Sequence, residues 1–160
     1  MNIGFIGLGI MGAPMAGHLI AAGHSLFLKT RRSVPEALLA AGGTACATAA
    51  AVAERADTII LMLPDTPDVE QVLFGADGVA EGLSPGKTVI DMSSIAPLAT
   101  KDFAARIAER GGAYLDAPVS GGEVGAKNAA LSIMVGGEPE AFERARPLFE
   151  AMGKTVTHVG

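Results

Sequence analysis

The chain has 160 residues, of which 49% are hydrophobic and 18% charged. This composition excludes a disordered protein, and the length is sufficient for a hydrophobic core without disulfide or metal support. A net charge of −5 argues against nucleic-acid binding, and the single cysteine, Cys46, excludes an internal disulfide. Without a basic leader or an apolar run of the ~18 residues that a membrane helix needs, we expect a cytoplasmic protein with no membrane, nucleic-acid or metal partner.

Short apolar runs alternate with helical stretches along the chain. The apolar runs predict strands at Ile3–Ile6, His24–Lys29, Thr44–Ala47, Asp57–Leu63, Thr88–Met92, Ala113–Asp116, Leu131–Val135 and Thr155–Val159. Helices are predicted at Met11–Ala22, Glu36–Ala41, Ala49–Arg55, Pro67–Leu73, Pro97–Arg110 and Pro139–Met152. Pro118–Ala130 shows no periodicity and is predicted to be a loop. The alternation predicts one α/β domain over 1–160, a Rossmann-type doubly wound, mostly parallel sheet with helices on both faces.

A glycine-rich turn, Gly7-Leu8-Gly9-Ile10-Met11-Gly12, joins the first strand to the first helix. Gly7 permits a tight turn, Gly9 allows the backbone to approach a pyrophosphate, and Gly12 allows close packing of helix and strand. The pattern alone is weak, and a plain glycine turn is the alternative. Its strand-to-helix context favours a dinucleotide site.

The second strand ends at Lys29-Thr30-Arg31-Arg32, without the acid that usually accepts from the ribose 2′-OH of NAD. Arginines are suited to a 2′-phosphate, because a guanidinium pairs with its oxygens. We therefore expect NADP(H) to be preferred, with NAD(H) as the second possibility. Solvated basic residues on a loop are the structural alternative.

Three later strand ends also carry candidate ligand-binding residues. Leu63-Pro64 ends the fourth strand, although a simple strand stop would explain this proline equally well. Ser93-Ser94 could contact a nicotinamide ribose or a substrate oxygen, or could cap the following helix. Ser120-Gly121-Gly122 offers a hydroxyl and open backbone N–H groups to a carboxylate, or is an ordinary glycine-rich loop.

Together, Gly4 to Met15, Met62-Leu63-Pro64, Asp91-Met92-Ser93-Ser94 and Asp116 to Gly122 resemble the β-hydroxyacid dehydrogenases, the 3-hydroxyisobutyrate dehydrogenase-like family. The resemblance covers the family's N-terminal half and implies reduction of a small carboxylate-bearing aldehyde, such as tartronate semialdehyde, or oxidation of a hydroxy acid. It implies cofactor contacts by Gly7 to Gly12, Leu63, Pro64 and Ser94, and substrate contacts by Ser120, Gly121 and Gly122. In the family the residues just after the second strand tune NAD against NADP, and related reductases often carry an acid or Asn-Arg-Thr there. Thr30, Arg31 and Arg32 therefore depart from the family pattern in a way that fits NADP.

The resemblance also implies parts that this sequence lacks. The family's catalytic lysine and its all-helical domain lie beyond Gly160, so we expect cofactor binding with little or no turnover, and a homo-oligomer only with that domain. The alternative is a non-catalytic dinucleotide-binding or sensory module. A methyltransferase of the same fold would favour an acid after the second strand, and none is present.

Overall fold

Six parallel strands form the main sheet in a computed structural model that describes all 160 residues. They lie in the order β3-β2-β1-β4-β5-β6. This order and the helices on both faces confirm the predicted doubly wound α/β fold. The strands are β1 (Asn2–Ile6), β2 (Ser25–Lys29), β3 (Thr44–Ala45), β4 (Thr58–Leu61), β5 (Thr88–Asp91) and β6 (Ala113–Asp116).

Eight helices connect and cover the strands. Several begin at residues suited to a helix N-terminus: Thr48 Oγ1 accepts from the Ala51 N–H at 3.0 Å, and Pro97 and Pro139 occupy first turns. None of the helices combines the length and apolar composition that a bilayer crossing requires. The helices are α1 (Gly12–Ala21), α2 (Glu36–Ala40), α3 (Ala49–Arg55), α4 (Thr66–Phe74), α5 (Val79–Gly82), α6 (Pro97–Glu109), α7 (Gly122–Lys127) and α8 (Pro139–Met152).

Both faces of the main sheet are buried, which explains the continuous apolar runs in its strands. In β4, Ile60 packs into the core beneath α1 and α8, whereas Ile59 and Leu61 pack into the core beneath α3, α4 and α6. Successive strand residues point to opposite faces, so a strand covered on both sides has no polar alternation. The two cores hold the carboxyl ends of β1, β2 and β4 side by side.

A second, three-stranded sheet continues from β6. It contains β7 (Val119–Ser120), β8 (Leu131–Val135) and β9 (Gly153–His158), with β7 antiparallel and β9 parallel to β8. The Asp116 and Gly136 backbones exchange hydrogen bonds of 2.9 and 2.7 Å, which join it to the main sheet. The predicted mostly parallel arrangement is confirmed, but the strands are divided between two sheets, which the sequence interpretation did not separate. The signal is in β8, where Ser132 and Met134 are exposed between buried residues, as in a strand covered on one face.

The prediction of a loop over Pro118–Ala130 was wrong, because this segment contains β7 and α7. α7 buries only Gly125 and Ala126, so it has no apolar stripe for a periodicity search to detect. Tertiary contacts fix it instead. The His18 ring Nε2 lies 2.8 Å from the Ala126 carbonyl oxygen, and a Cβ added to Gly125 would lie 3.2 Å from Leu131 Cδ2.

Candidate functional site

The glycine-rich turn between β1 and α1 has the geometry expected from its three glycines. Gly7 has φ of +103°, and a Cβ there would lie 2.1 Å from the Met62 carbonyl oxygen. A Cβ on Gly12 would lie 1.8 Å from the Gly7 carbonyl oxygen, so only glycine permits this approach of helix to turn. A Cβ on Gly9 would meet nothing within 4 Å. The turn is packed tightly on its inner side and is open at Gly9.

This turn borders a pocket of about 570 Å³ at the carboxyl edge of the main sheet. The pocket joins five parts of the chain: the glycine-rich turn, the end of β2, Ala49 of α3, the segment after β4, and one face of α4. Ten of the predicted cofactor-binding residues line it. They are Gly7, Leu8, Gly9, Ile10, Met11, Gly12, Thr30, Arg31, Leu63 and Pro64.

Polar groups at the end of β2 tie the glycine-rich turn to the pocket rim. The Leu8 N–H donates to Thr30 Oγ1 at 3.4 Å, and Lys29 Nζ donates to the Thr30 carbonyl oxygen at 3.0 Å. Arg31 Nη2 donates to Asp68 Oδ1 of α4 at 3.0 Å. This ion pair links the segment after β2 to α4 at the pocket rim, while Arg32 is exposed and does not line the pocket.

The segment after β4 is fixed from beneath by a buried serine. Ser93 is fully buried, and its Oγ accepts from the Leu63 N–H at 2.8 Å. The Met62 N–H donates to the Ile6 carbonyl oxygen at 2.9 Å, which aligns the segment with the end of β1. Ser93 thus supports the pocket wall from beneath. This role differs from both predicted alternatives, helix capping and direct ligand contact.

Beneath Ser93 lies the buried carboxylate of Asp91. Its Oδ1 accepts from the Ser93 N–H at 3.0 Å, and its Oδ2 accepts from the Tyr114 hydroxyl at 3.1 Å. Burial raises the pKa of the Asp91 carboxyl to about 6, although the hydrogen bonds from Ser93 and Tyr114 act to lower it. Burial, followed by the Asp91 charge, raises the pKa of Tyr114. Burial also raises the pKa of Asp116, the register partner of Asp91 on β6.

Four other predicted residues lie outside the pocket lining. Ser94 is exposed just beyond β5, and Ser120, Gly121 and Gly122 are exposed beyond β6. β5 and β6 are neighbours, so these residues follow the same edge of the sheet. Gly121 and Gly122 have φ of +130° and +60°, conformations that favour glycine. No three His, Cys, Asp or Glu side chains lie close enough together to hold a metal ion.

The sequence interpretation missed the contribution of α4 to the pocket. Asp68, Gln71 and Val72 line it from one face of this helix. Their spacing of three and four residues places them on a common helical face, which was a readable signal. The missing step was spatial, because nothing in the local sequence shows that α4 passes the end of β2.

Comparison with known families gives this pocket a context. Residues 2–160 match the family described as the NAD binding domain of 6-phosphogluconate dehydrogenase. The chain belongs to this family. A nicotinamide dinucleotide is therefore the class of cofactor that its family binds, in agreement with the sequence prediction.

The chain is 55% identical to 2-hydroxy-3-oxopropionate reductase of Escherichia coli over 160 residues, covering 100% of this chain and 55% of that protein. It is 46% identical to NAD-dependent L-serine dehydrogenase of Pseudomonas aeruginosa, covering 99% of this chain and 54% of that protein. Psf3, solved in complex with NADP+ and 2-OPP, superposes with a TM-score of 0.92 at 33% identity, covering 98% and 56% of the two chains. The resemblance to hydroxyacid dehydrogenases is thereby confirmed. The chain spans about half the length of the curated relatives it matches.

Proposed function

We propose that residues 1–160 are the cofactor-binding domain of an NADP(H)-dependent oxidoreductase. Its substrate is tartronate semialdehyde (2-hydroxy-3-oxopropanoate), reduced to glycerate, or a closely related small 3-oxo or 3-hydroxy acid. One observation carries the proposal: a single pocket joins the open glycine-rich turn to the Arg31 guanidinium. The 55% identity to a 2-hydroxy-3-oxopropionate reductase supports the substrate.

The residues present fit a dinucleotide. The open side of Gly9 leaves room for a pyrophosphate against the backbone N–H groups that precede α1, where the helix dipole favours an anion. Leu63 and Pro64 would flank the ribose and phosphates from the opposite wall. Arg31, two residues beyond the end of β2, would bind the 2′-phosphate of NADP(H).

The remaining predicted residues are suited to the reacting end. When bound, the reduced nicotinamide ring supplies the hydride that adds to the aldehyde carbon. Ser94 would contact the cofactor near this ring, and the Ser120 hydroxyl with the Gly121 and Gly122 N–H groups would orient the substrate carboxylate. The carbonyl oxygen must also take up one proton to give the alcohol, so the reaction needs an acid within hydrogen-bond reach.

We place that proton donor outside these 160 residues, on the family's catalytic lysine. Three of the chain's five lysines already have partners within the chain. Lys29 donates to the Thr30 carbonyl, Lys87 to the Ala53 and Glu54 carbonyls, and Lys127 pairs with Glu123 at 2.8 Å. The 160-residue chain should therefore bind cofactor with little or no turnover.

The test is a titration of the chain with NADPH and with NADH, followed by the fluorescence of the reduced nucleotide. The chain has no tryptophan, so the background is low. Arg31→Ala should weaken NADPH binding about tenfold, because a charge-assisted hydrogen bond is worth about 1.5–3 kcal/mol and Asp68 already engages part of this guanidinium.

Arg144→Ala is the matched control, because it removes an exposed arginine of α8 that does not line the pocket. It should leave both affinities unchanged. NADH binding as tight as NADPH binding, unaffected by Arg31→Ala, would refute the NADP(H) preference. Binding of neither nucleotide would refute a cofactor-binding domain.

A further inference from the structure

The guanidinium at the pocket mouth already has an anionic partner within the chain. Arg31 Nη2 lies 3.0 Å from Asp68 Oδ1, and both residues line the pocket. Asp68 comes from α4, 37 positions later in the sequence. It is the only acidic residue among those lining the pocket. One carboxylate therefore lies beside the guanidinium that would bind an incoming phosphate.

The location of this carboxylate bears on the choice between NAD and NADP. Dinucleotide sites of this topology usually carry Asp or Glu at the end of the second strand, where it accepts from the ribose 2′-OH of NAD. Here β2 ends at Lys29 and is followed by Thr30, with no acid. Asp68 brings a carboxylate to the same rim of the pocket through α4 rather than β2. The rim thus offers both a cation for a 2′-phosphate and an acceptor for a 2′-hydroxyl.

We infer that Asp68 is a cofactor-specificity residue. Its carboxylate repels the 2′-phosphate of NADPH and accepts a hydrogen bond from the 2′-hydroxyl of NADH. This inference rests on the proposed function. NADPH must share the Arg31 guanidinium with Asp68 and place a phosphate beside its carboxylate. NADH avoids both the competition for Arg31 and the repulsion by Asp68, because its adenosine ribose carries only hydroxyls.

The ion pair can yield to a ligand without disturbing the fold. The Arg31 side chain is 84% exposed, and exposed ion pairs contribute little to folding stability. Asp68 is 27% exposed, so its carboxylate is more firmly placed than the arginine. A change at Asp68 should therefore alter nucleotide selection much more than stability.

The decisive experiment compares dissociation constants for NADPH and NADH in Asp68→Asn and the unaltered chain, by nucleotide fluorescence. The ratio of the NADH constant to the NADPH constant should rise about tenfold, as expected when a carboxylate beside a phosphate is neutralised at a partly exposed site. Asp68→Glu retains the charge and should keep the ratio of the unaltered chain. Urea unfolding midpoints verify that each variant is folded.

Glu70→Gln is the matched control. Glu70 lies on the same helix and also pairs with an arginine, Arg106 at 3.3 Å, but does not line the pocket. Its ratio should stay unchanged. An unchanged ratio in Asp68→Asn, or an equal rise in Glu70→Gln, would overturn the inference and leave the proposed function intact. Binding of neither nucleotide by the unaltered chain would overturn both.

Discussion

The buried carboxyl of Asp91 makes the stability of this domain depend on pH in an unusual direction. Its pKa of about 6 in the folded chain lies above its ordinary value of 3.8, because burial disfavours the carboxylate. The folded chain therefore holds this proton more tightly than the unfolded chain does. The resulting stabilisation is complete below pH 3.8 and is lost as the pH rises through 6. The difference between the two values corresponds to about 3 kcal/mol of unfolding free energy.

Asp91→Asn isolates this contribution, because the amide does not titrate. Urea unfolding followed by circular dichroism should be measured from pH 4 to pH 7 for both proteins. The unfolding free energy of the unaltered chain should fall relative to that of the variant by about 2 kcal/mol over this range, because part of the stabilisation is already lost at pH 4. The difference between the two curves removes the contributions of titrating groups that both proteins share. Two parallel curves would refute the assignment of a raised pKa to this buried carboxyl.

Three further substitutions test the packing of the site. Gly12→Ala should lower the unfolding free energy in urea by about 3 kcal/mol, because its Cβ would overlap the Gly7 carbonyl oxygen. Gly9→Ala should leave that energy within about 0.5 kcal/mol, yet weaken NADPH binding, since its Cβ would point into the open pocket; unchanged affinity would contradict this. Ser93→Ala should lower the unfolding free energy by about 1–3 kcal/mol, because it leaves the Leu63 N–H without its acceptor. An unaltered urea midpoint would show that this hydrogen bond is dispensable.

The sequence contained most of the fold because its strong signals are local. The apolar run of β4 and the glycines between β1 and α1 determine their own structure, so both were predictable. α7 was not, because a short helix that buries only Gly125 and Ala126 depends on contacts with residues as distant as His18. Propensity and periodicity carry no information about such contacts.

The candidate site also has one part that could be predicted from the sequence and one part that could not. The glycine-rich turn and Leu63-Pro64 follow strands directly, so their arrival at one sheet edge could be deduced from the parallel topology. The partnership of Arg31 with Asp68 could not, because it depends on the path of α4 past β2. The supporting role of Ser93 was equally hidden, since its burial depends on how β4 and β5 pair.

The strand order has a consequence for how the domain unfolds. β1 to β3 build one half of the main sheet and β4 to β6 the other, and the β1–β4 pairing is the one ladder that joins them within the sheet. The pocket draws its walls from both halves, since the glycine-rich turn belongs to the first and α4 to the second. A dinucleotide held there would bridge the two halves and oppose their separation. At a hundredfold excess over its dissociation constant, such a ligand adds about 2.7 kcal/mol to the free energy of unfolding.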